Sequence, residues 1–186
     1  MELGHGGTAP YAGAKAVRMV KLTRGALTAL LNGDLSEASA HAGVELTDYF
    51  VADRAMRLWR RRVDQIAADP SSEQWIARAG VAEPQGVVVG HAGYHGPPDD
   101  DGMVEVAYSV DPAYRRQGYA RAMLHELLRR ANAEPGVLTV RATISPENTA
   151  SLATIRGFGF AHVGQQWDEE DGLELIFEVP ASGSSG

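Results

Sequence analysis

The sequence predicts a mixed α/β domain, with a helix-joined strand pair that is parallel and hairpins that are antiparallel. Two observations carry this. The apolar strand-like segments 103–110 and 137–144 are separated by a helical segment at 117–133, and a strand–helix–strand crossover makes its two strands parallel. The strands at 74–82, 86–94 and 103–110, and the last two at 160–167 and 172–179, are joined by turn-rich stretches that suit antiparallel hairpins. The sheet is therefore mixed rather than doubly wound. At 186 residues the chain has the length of one domain and can bury a core without disulfides or metals.

The elements follow in order. Residues 1–14 are rich in Gly and Ala, lack periodicity, and are expected to be a flexible leader. A single domain is expected over 15–180, and a flexible tail or linker over 181–186. Ala16 to Leu22 suits a first strand. Thr23 suits the N-cap of a short helix ending near Asn32-Gly33, and Asp34 suits the cap of another. Segment 47–68 predicts the longest helix of this half, because Ala52, Ala55, Met56, Trp59, Val63 and Ile66 recur at helical spacing, and Asp69-Pro70 ends it. Strands are expected at 74–82, 86–94 and 103–110. In the helix at 117–133, Ala120, Met123, Leu124, Leu127, Leu128 and Ala131 share a face. After the strand at 137–144, Ser145-Pro146 predicts a helix start, with Ser as N-cap and Pro in the first turn. That helix ends near Gly157 or Gly159, and strands at 160–167 and 172–179 close the chain around an acidic turn.

Composition removes several functions. With no cysteine there is no disulfide, thiolate metal site or cysteine nucleophile. Lys15, Arg18, Lys21 and Arg24 interrupt the early apolar stretch, so neither a signal peptide nor a spanning helix fits; a cytoplasmic protein without a membrane partner is expected. A net charge of −7 and a pI near 5.3 argue against nucleic-acid binding and suit a cationic partner.

The segment Asp111-Pro112-Ala113-Tyr114-Arg115-Arg116-Gln117-Gly118-Tyr119-Ala120 lies between a strand and an amphipathic helix. Free N–H groups at a helix start, a glycine that lets the backbone approach, and flanking arginines together suit phosphate oxygens. An ordinary strand-to-helix turn with solvated arginines is the alternative. Downstream lies Glu147-Asn148-Thr149-Ala150-Ser151, followed by Gly159-Phe160.

The spacing Arg115-x-x-Gly118-x-Ala120 resembles the acetyl-CoA pyrophosphate loop of the GNAT superfamily. The Asn148-x-x-Ser151 helix running into Gly159-Phe160 is similar to the branch containing ribosomal-protein N-terminal acetyltransferases. The resemblance is carried by residues 103–163. It implies the GNAT fold, a central, mostly antiparallel sheet with one parallel strand pair splayed around acetyl-CoA and helices on both faces, and an N-acetyltransferase that acetylates a primary amine in a protein N-terminus or a small molecule. It implies that Arg115, Arg116, Gln117, Gly118, Tyr119, Ala120 and Arg121 hold the pyrophosphate, mainly through backbone N–H groups. The backbone around Ser109 and Val110 would pair with the pantetheine arm, and Asn148 and Ser151 would face pantetheine and the sulfur. Glu105, alternating with Val104 and Val106 on an otherwise buried strand, is the candidate base. Many family members place a tyrosine acid where this chain has Thr154, so the resemblance shifts that role to Ser151. Attack would be direct, in a ternary complex, since no cysteine can carry the acyl group. Homodimers are common in the family. A non-catalytic acyl-CoA-binding module of the same fold is the competing function.

Other signals read as structural. His91 and His95 are four apart on a strand, about 13 Å, too far to share a metal ion. No metal site is expected, and Asp99-Asp100-Asp101 lacks the rest of a calcium loop. Arg60-Arg61-Arg62 reads as a solvated helix face. Asp168-Glu169-Glu170-Asp171 reads as a charged turn, which the resemblance sets near the acceptor opening, where it would attract a cationic amine.

Overall fold

A computed structural model describes residues 15–170 and 172–181. The leader expected at 1–14, the hairpin residue Asp171 and the tail from 182 lie outside the described residues. Ala181 corrects the expected start of the tail: it is buried, and its N–H donates to the Leu138 carbonyl at 2.9 Å, so the fold runs one residue past 180.

Seven strands form one sheet: β1 (Ala16–Lys21), β2 (Arg78–Glu83), β3 (Val87–Tyr94), β4 (Met103–Val110), β5 (Thr139–Ile144), β6 (Ala161–Asp168) and β7 (Gly172–Pro180). Their spatial order is β1-β2-β3-β4-β5-β7-β6. Every neighbouring pair is antiparallel except β4 and β5, as the crossover predicts. Strands β2 and β3 are buried along nearly their whole length, so both faces of the sheet are covered there.

Two apolar layers result. On one face lie α1 (Arg24–Leu31), α2 (Leu35–Ala42) and α3 (Asp53–Ala68), where Leu27, Leu30, Phe50, Trp59 and Ile66 pack on Val81 and Val88. On the other, α4 (Tyr119–Ala133) lays Met123, Leu124 and Leu127 against Val89, Val104 and Val140. Helix α5 (Thr149–Ile155) adds Ile155 to this second layer. Burying such side chains contributes about 1.5–3 kcal/mol each. The two largest buried polar aromatics are satisfied: Trp59 Nε1 donates to the Phe50 carbonyl at 2.8 Å, and the Tyr94 hydroxyl to the Leu127 carbonyl at 2.6 Å.

The caps expected at Thr23 and Asp34 are present, accepting from the amides of Ala26 and Glu37. Three expectations need correction. The helix expected over 47–68 breaks at Ala52, leaving a 3-10 turn at Asp48–Val51 before α3. In a continuous helix the Phe50 carbonyl would accept from the Arg54 amide; here the indole of Trp59 takes it, and Phe50 turns into the core. The strand expected from 74 starts at Arg78, because the Asp69 carboxylate caps a 3-10 turn at Pro70–Gln74 through Ser71 and Ser72. The helix expected from Ser145 starts at Thr149. Its cap is Asn148, whose Oδ1 accepts from the Ser151 amide at 3.0 Å, while Ser145 to Asn148 form the preceding turn.

Gly93 tests this packing. Residues 75–77 continue alongside β3, with the Tyr94 N–H donating to the Trp75 carbonyl. A Cβ on Gly93 would lie 2.0 Å from the Ile76 carbonyl oxygen, and this backbone cannot yield as a side chain would. Gly93→Ala is expected to cost about 1–3 kcal/mol. Thermal unfolding should show a fall in Tm of about 5 °C, against no change for Gly136→Ala, where no atom lies within 4 Å.

Candidate active site

The parallel pairing of β4 with β5 spans three positions, Met103↔Thr139 to Glu105↔Arg141. Beyond it β4 runs on to Val110, paired only with β3, and β5 to Ile144, paired only with β7. The strands part, and two backbone edges face each other without a ladder. The Glu105 carbonyl accepts from the His95 N–H, so the backbone groups of Glu105, Ala107 and Ser109 point to β3. By alternation, those of Val106, Tyr108 and Val110 line the open edge. Of the two positions expected to meet a pantetheine arm, Val110 therefore presents its backbone to the slot. Ser109 does not: its backbone turns to β3, and its hydroxyl shares a short hydrogen bond with Tyr49.

The loop entering α4 borders the same slot. Arg116 has φ 59° and Gly118, the N-cap, φ 90°. Alternating left-handed residues turn successive N–H groups into one concavity. No side chain caps α4 and its first turn holds no acid, so its leading amides are left for an external anion. The side chains are less available than the backbone. Arg115 Nε donates to the Val110 carbonyl and Gln117 to that of Ala113. Arg121 donates to the carbonyls of Thr154 and Arg156 and lies over the Phe158 ring. The Tyr119 ring is buried, with the Lys15 ammonium over it. Arg116 is exposed and without a side-chain partner among the described residues.

A cavity of about 940 Å³ lies between α3 and the sheet and reaches Ser109 and Arg115. Glu105 is on its floor, with 18% of its side chain exposed. The Thr143 hydroxyl on β5 donates to Glu105 Oε1, and Nδ1 of His95, the residue that follows β3, stands 3.6 Å from the same oxygen. The carboxylate is thus positioned from both flanking strands. Asp168, Glu169, Glu170 and Glu174 line the rim, which puts the acidic hairpin at this cavity. Asn148 and Ser151 sit at the start of α5, with the Asn148 carbonyl oxygen engaged as its cap.

His91 on β3 and His95 just past its end both line this cavity. Among the described residues no group of three or more His, Cys, Asp or Glu is arranged to hold a metal ion. His91 sits among the rings of Tyr49, Phe50 and Trp59, and burial, with help from Arg54 and Arg62, pushes its pKa down to about 4.

Two residues went unread. Arg62 corrects the solvated-face reading of Arg60-Arg61-Arg62: its neighbours are exposed, but Arg62 is buried at the cavity wall. It lies three residues after Trp59 and four before Ile66, so helical spacing puts it on the apolar face. Tyr108 is the second. Its hydroxyl is buried without a hydrogen bond, close to the Ser151 and Thr154 hydroxyls but outside bonding geometry. Burial raises its pKa, so the phenol stays protonated.

Comparison with known proteins is consistent with this geometry. The family model for the acetyltransferase (GNAT) domain matches residues 32–161. The L-2,4-diaminobutyric acid acetyltransferase of Streptomyces coelicolor is 32% identical over 130 residues, covering 64% of this chain and 76% of the relative. The uncharacterized N-acetyltransferase YjdG of Bacillus subtilis is 30% identical over 73 residues, covering 39% of this chain and 44% of the relative. Among solved structures, Mycobacterium smegmatis RimJ in complex with CoA-disulfide shares the fold with a TM-score of 0.57 at 18% identity, over 91% of this chain and 89% of that one. No helix among the described residues is long and apolar enough to cross a membrane.

The His91 box gives the fold a pH response. A histidine held neutral when folded binds its proton more readily when unfolded, so stability is full above pH 6.5 and is lost as pH falls toward 4. Tm measured from pH 7 to 4.5 should fall less steeply for His91→Gln than for the unaltered protein. Parallel slopes would show that His91 titrates normally.

Proposed function

Because the chain belongs to the GNAT acetyltransferase family, we propose that it transfers an acetyl group from acetyl-CoA to a primary amine by direct attack in a ternary complex. The observation that carries this reading is convergence: the open β4–β5 edges, the uncapped anion loop and the cavity over Glu105 meet at one place.

The residues suit the parts of that reaction. The amides leading into α4, with the Arg116 guanidinium beside them, suit a pyrophosphate. The N–H and C=O groups of Val106, Tyr108 and Val110 suit the amides of pantetheine, which would complete the ladder that β5 abandons. An N–H of that edge nearer Glu105 is a candidate donor to the thioester oxygen as charge develops on it. An amine is mostly protonated at pH 7, so attack needs a base. Glu105, with Thr143 and His95 around it, is that base, directly or through a water. The departing thiolate needs a proton, and the Ser151 and Tyr108 hydroxyls are the two candidates. Tyr108 supplies a phenol close to Thr154, where many relatives carry their own tyrosine.

The Streptomyces relative is named for a small diamino acid, which favours a small acceptor over a protein N-terminus. The acids at the cavity rim support an acceptor that carries positive charge.

Thermal unfolding with acetyl-CoA, free CoA and adenosine diphosphate is the first test. At 100 times its Kd a ligand adds about 2.7 kcal/mol, or a shift of about 5–10 °C here. A shift with both CoA forms, followed by thiol release with amines, supports the reading. A shift without thiol release from any amine would favour a non-catalytic binder. Glu105→Gln should lower kcat by about 100-fold or more while leaving the CoA-induced shift in place. A Glu105→Gln variant of full activity would remove this carboxylate from the mechanism.

A further inference from the structure

We propose that the acceptor is a zwitterion, a primary amine that also carries a carboxylate, and that Arg62 holds the carboxylate. This rests on the transfer reading above and names the substrate class for the same cavity.

Arg62 is 9% exposed, and such a buried cation is ordinarily matched by an anion. Here it has none among the described residues. Nη1 donates to two neutral oxygens, Oε1 of Gln65 at 2.8 Å and the carbonyl of His95 at 3.0 Å. Nε is buried and unpartnered. The bonds to Gln65 and His95 fix the guanidinium plane while leaving the Nε side without an acceptor. A planar fork with one free side recognises a carboxylate. Burial and the nearby Arg61 lower its pKa only to about 10, so the group remains charged at neutral pH.

The remainder of the cavity carries more acids than bases: Glu105, Asp168, Glu169, Glu170 and Glu174 against Arg54, Arg61 and Arg115. Arg61 is engaged 3.3 Å from Glu170 at the exposed rim. His95 links the two poles: its carbonyl takes the Arg62 Nη1, and its ring stands 3.6 Å from Glu105. A molecule whose ammonium and carboxylate are a few bonds apart can meet the Glu105 side and the Arg62 side together. A simple di- or polyamine would gain from the acids alone and would bring a second cation toward Arg54, Arg61 and Arg62.

Matched acceptors test this directly: 2,4-diaminobutyrate against 1,3-diaminopropane, ornithine against putrescine, lysine against cadaverine. Each pair differs only by the carboxylate. In the unaltered protein with acetyl-CoA, at least one pair should favour the carboxylate member by about tenfold or more in kcat/KM, chiefly through KM. Arg62→Met should erase that preference, lowering the carboxylate member by about 10- to 100-fold and its amine counterpart by less than about threefold. Arg62→Lys should restore part of it. No preference in any pair, equal losses for both members of a pair, or a peptide amine used better than every free amino acid would each overturn the proposal. If no amine releases CoA thiol, the transfer reading fails. Calorimetric binding of the same pairs to the CoA-bound protein then decides the Arg62 site alone: tighter binding of the carboxylate member upholds it, and equal or absent binding overturns it.

Discussion

The parallel ladder between β4 and β5 stops after Glu105↔Arg141, and the arrangement of the site depends on where it stops. A sheet interior rarely leaves facing backbone edges unpaired, since each buried N–H or C=O without a partner costs about as much as a lost hydrogen bond. The parting is tolerated because each strand keeps a full antiparallel ladder on its outer side, β4 with β3 and β5 with β7. It leaves a slot walled by backbone N–H and C=O groups that no strand ladder engages. The place of the last rung also fixes the chemistry on the floor, since Glu105 belongs to that rung and Thr143 lies two residues past its partner.

Around the slot, each face of the sheet has a different task. Odd-numbered residues of β4 turn Glu105, Ala107 and Ser109 toward the cavity under α3. Even-numbered residues turn toward α4 and α5, which puts the Tyr108 hydroxyl near Ser151 and Thr154. The two-residue period of one strand thereby separates a carboxylate that can accept a proton from hydroxyls that can give one.

Much of this was legible. The crossover spacing between 103–110 and 137–144 required the parallel pair, and Gly118 between a strand and a helix marked where the backbone could approach an anion, though not its left-handed φ. What stayed hidden involved partners distant in sequence. The break at Ala52 depends on the Trp59 indole taking one carbonyl, which no propensity encodes. The turn of the Ser109 backbone toward β3 depends on register. Tyr108 carries no mark in the sequence, because its neighbours arrive on α5, some forty residues later. Arg62 is a different case: helical spacing put it beside Trp59 and Ile66, and only its membership in a run of three arginines disguised it.

Arg121 has a wider effect than its own contacts suggest. Its side chain leaves the anion loop and grips the Thr154 and Arg156 carbonyls at the far end of α5. A helix of seven residues could otherwise pivot on its Asn148 cap. Clamped at its C-terminal end by a residue from the first turn of α4, it is bound to the loop it faces. The two ends of the slot, amides at one and hydroxyls at the other, are thus held by one strut. Their separation acts as a fixed gauge for the length of any molecule that spans them.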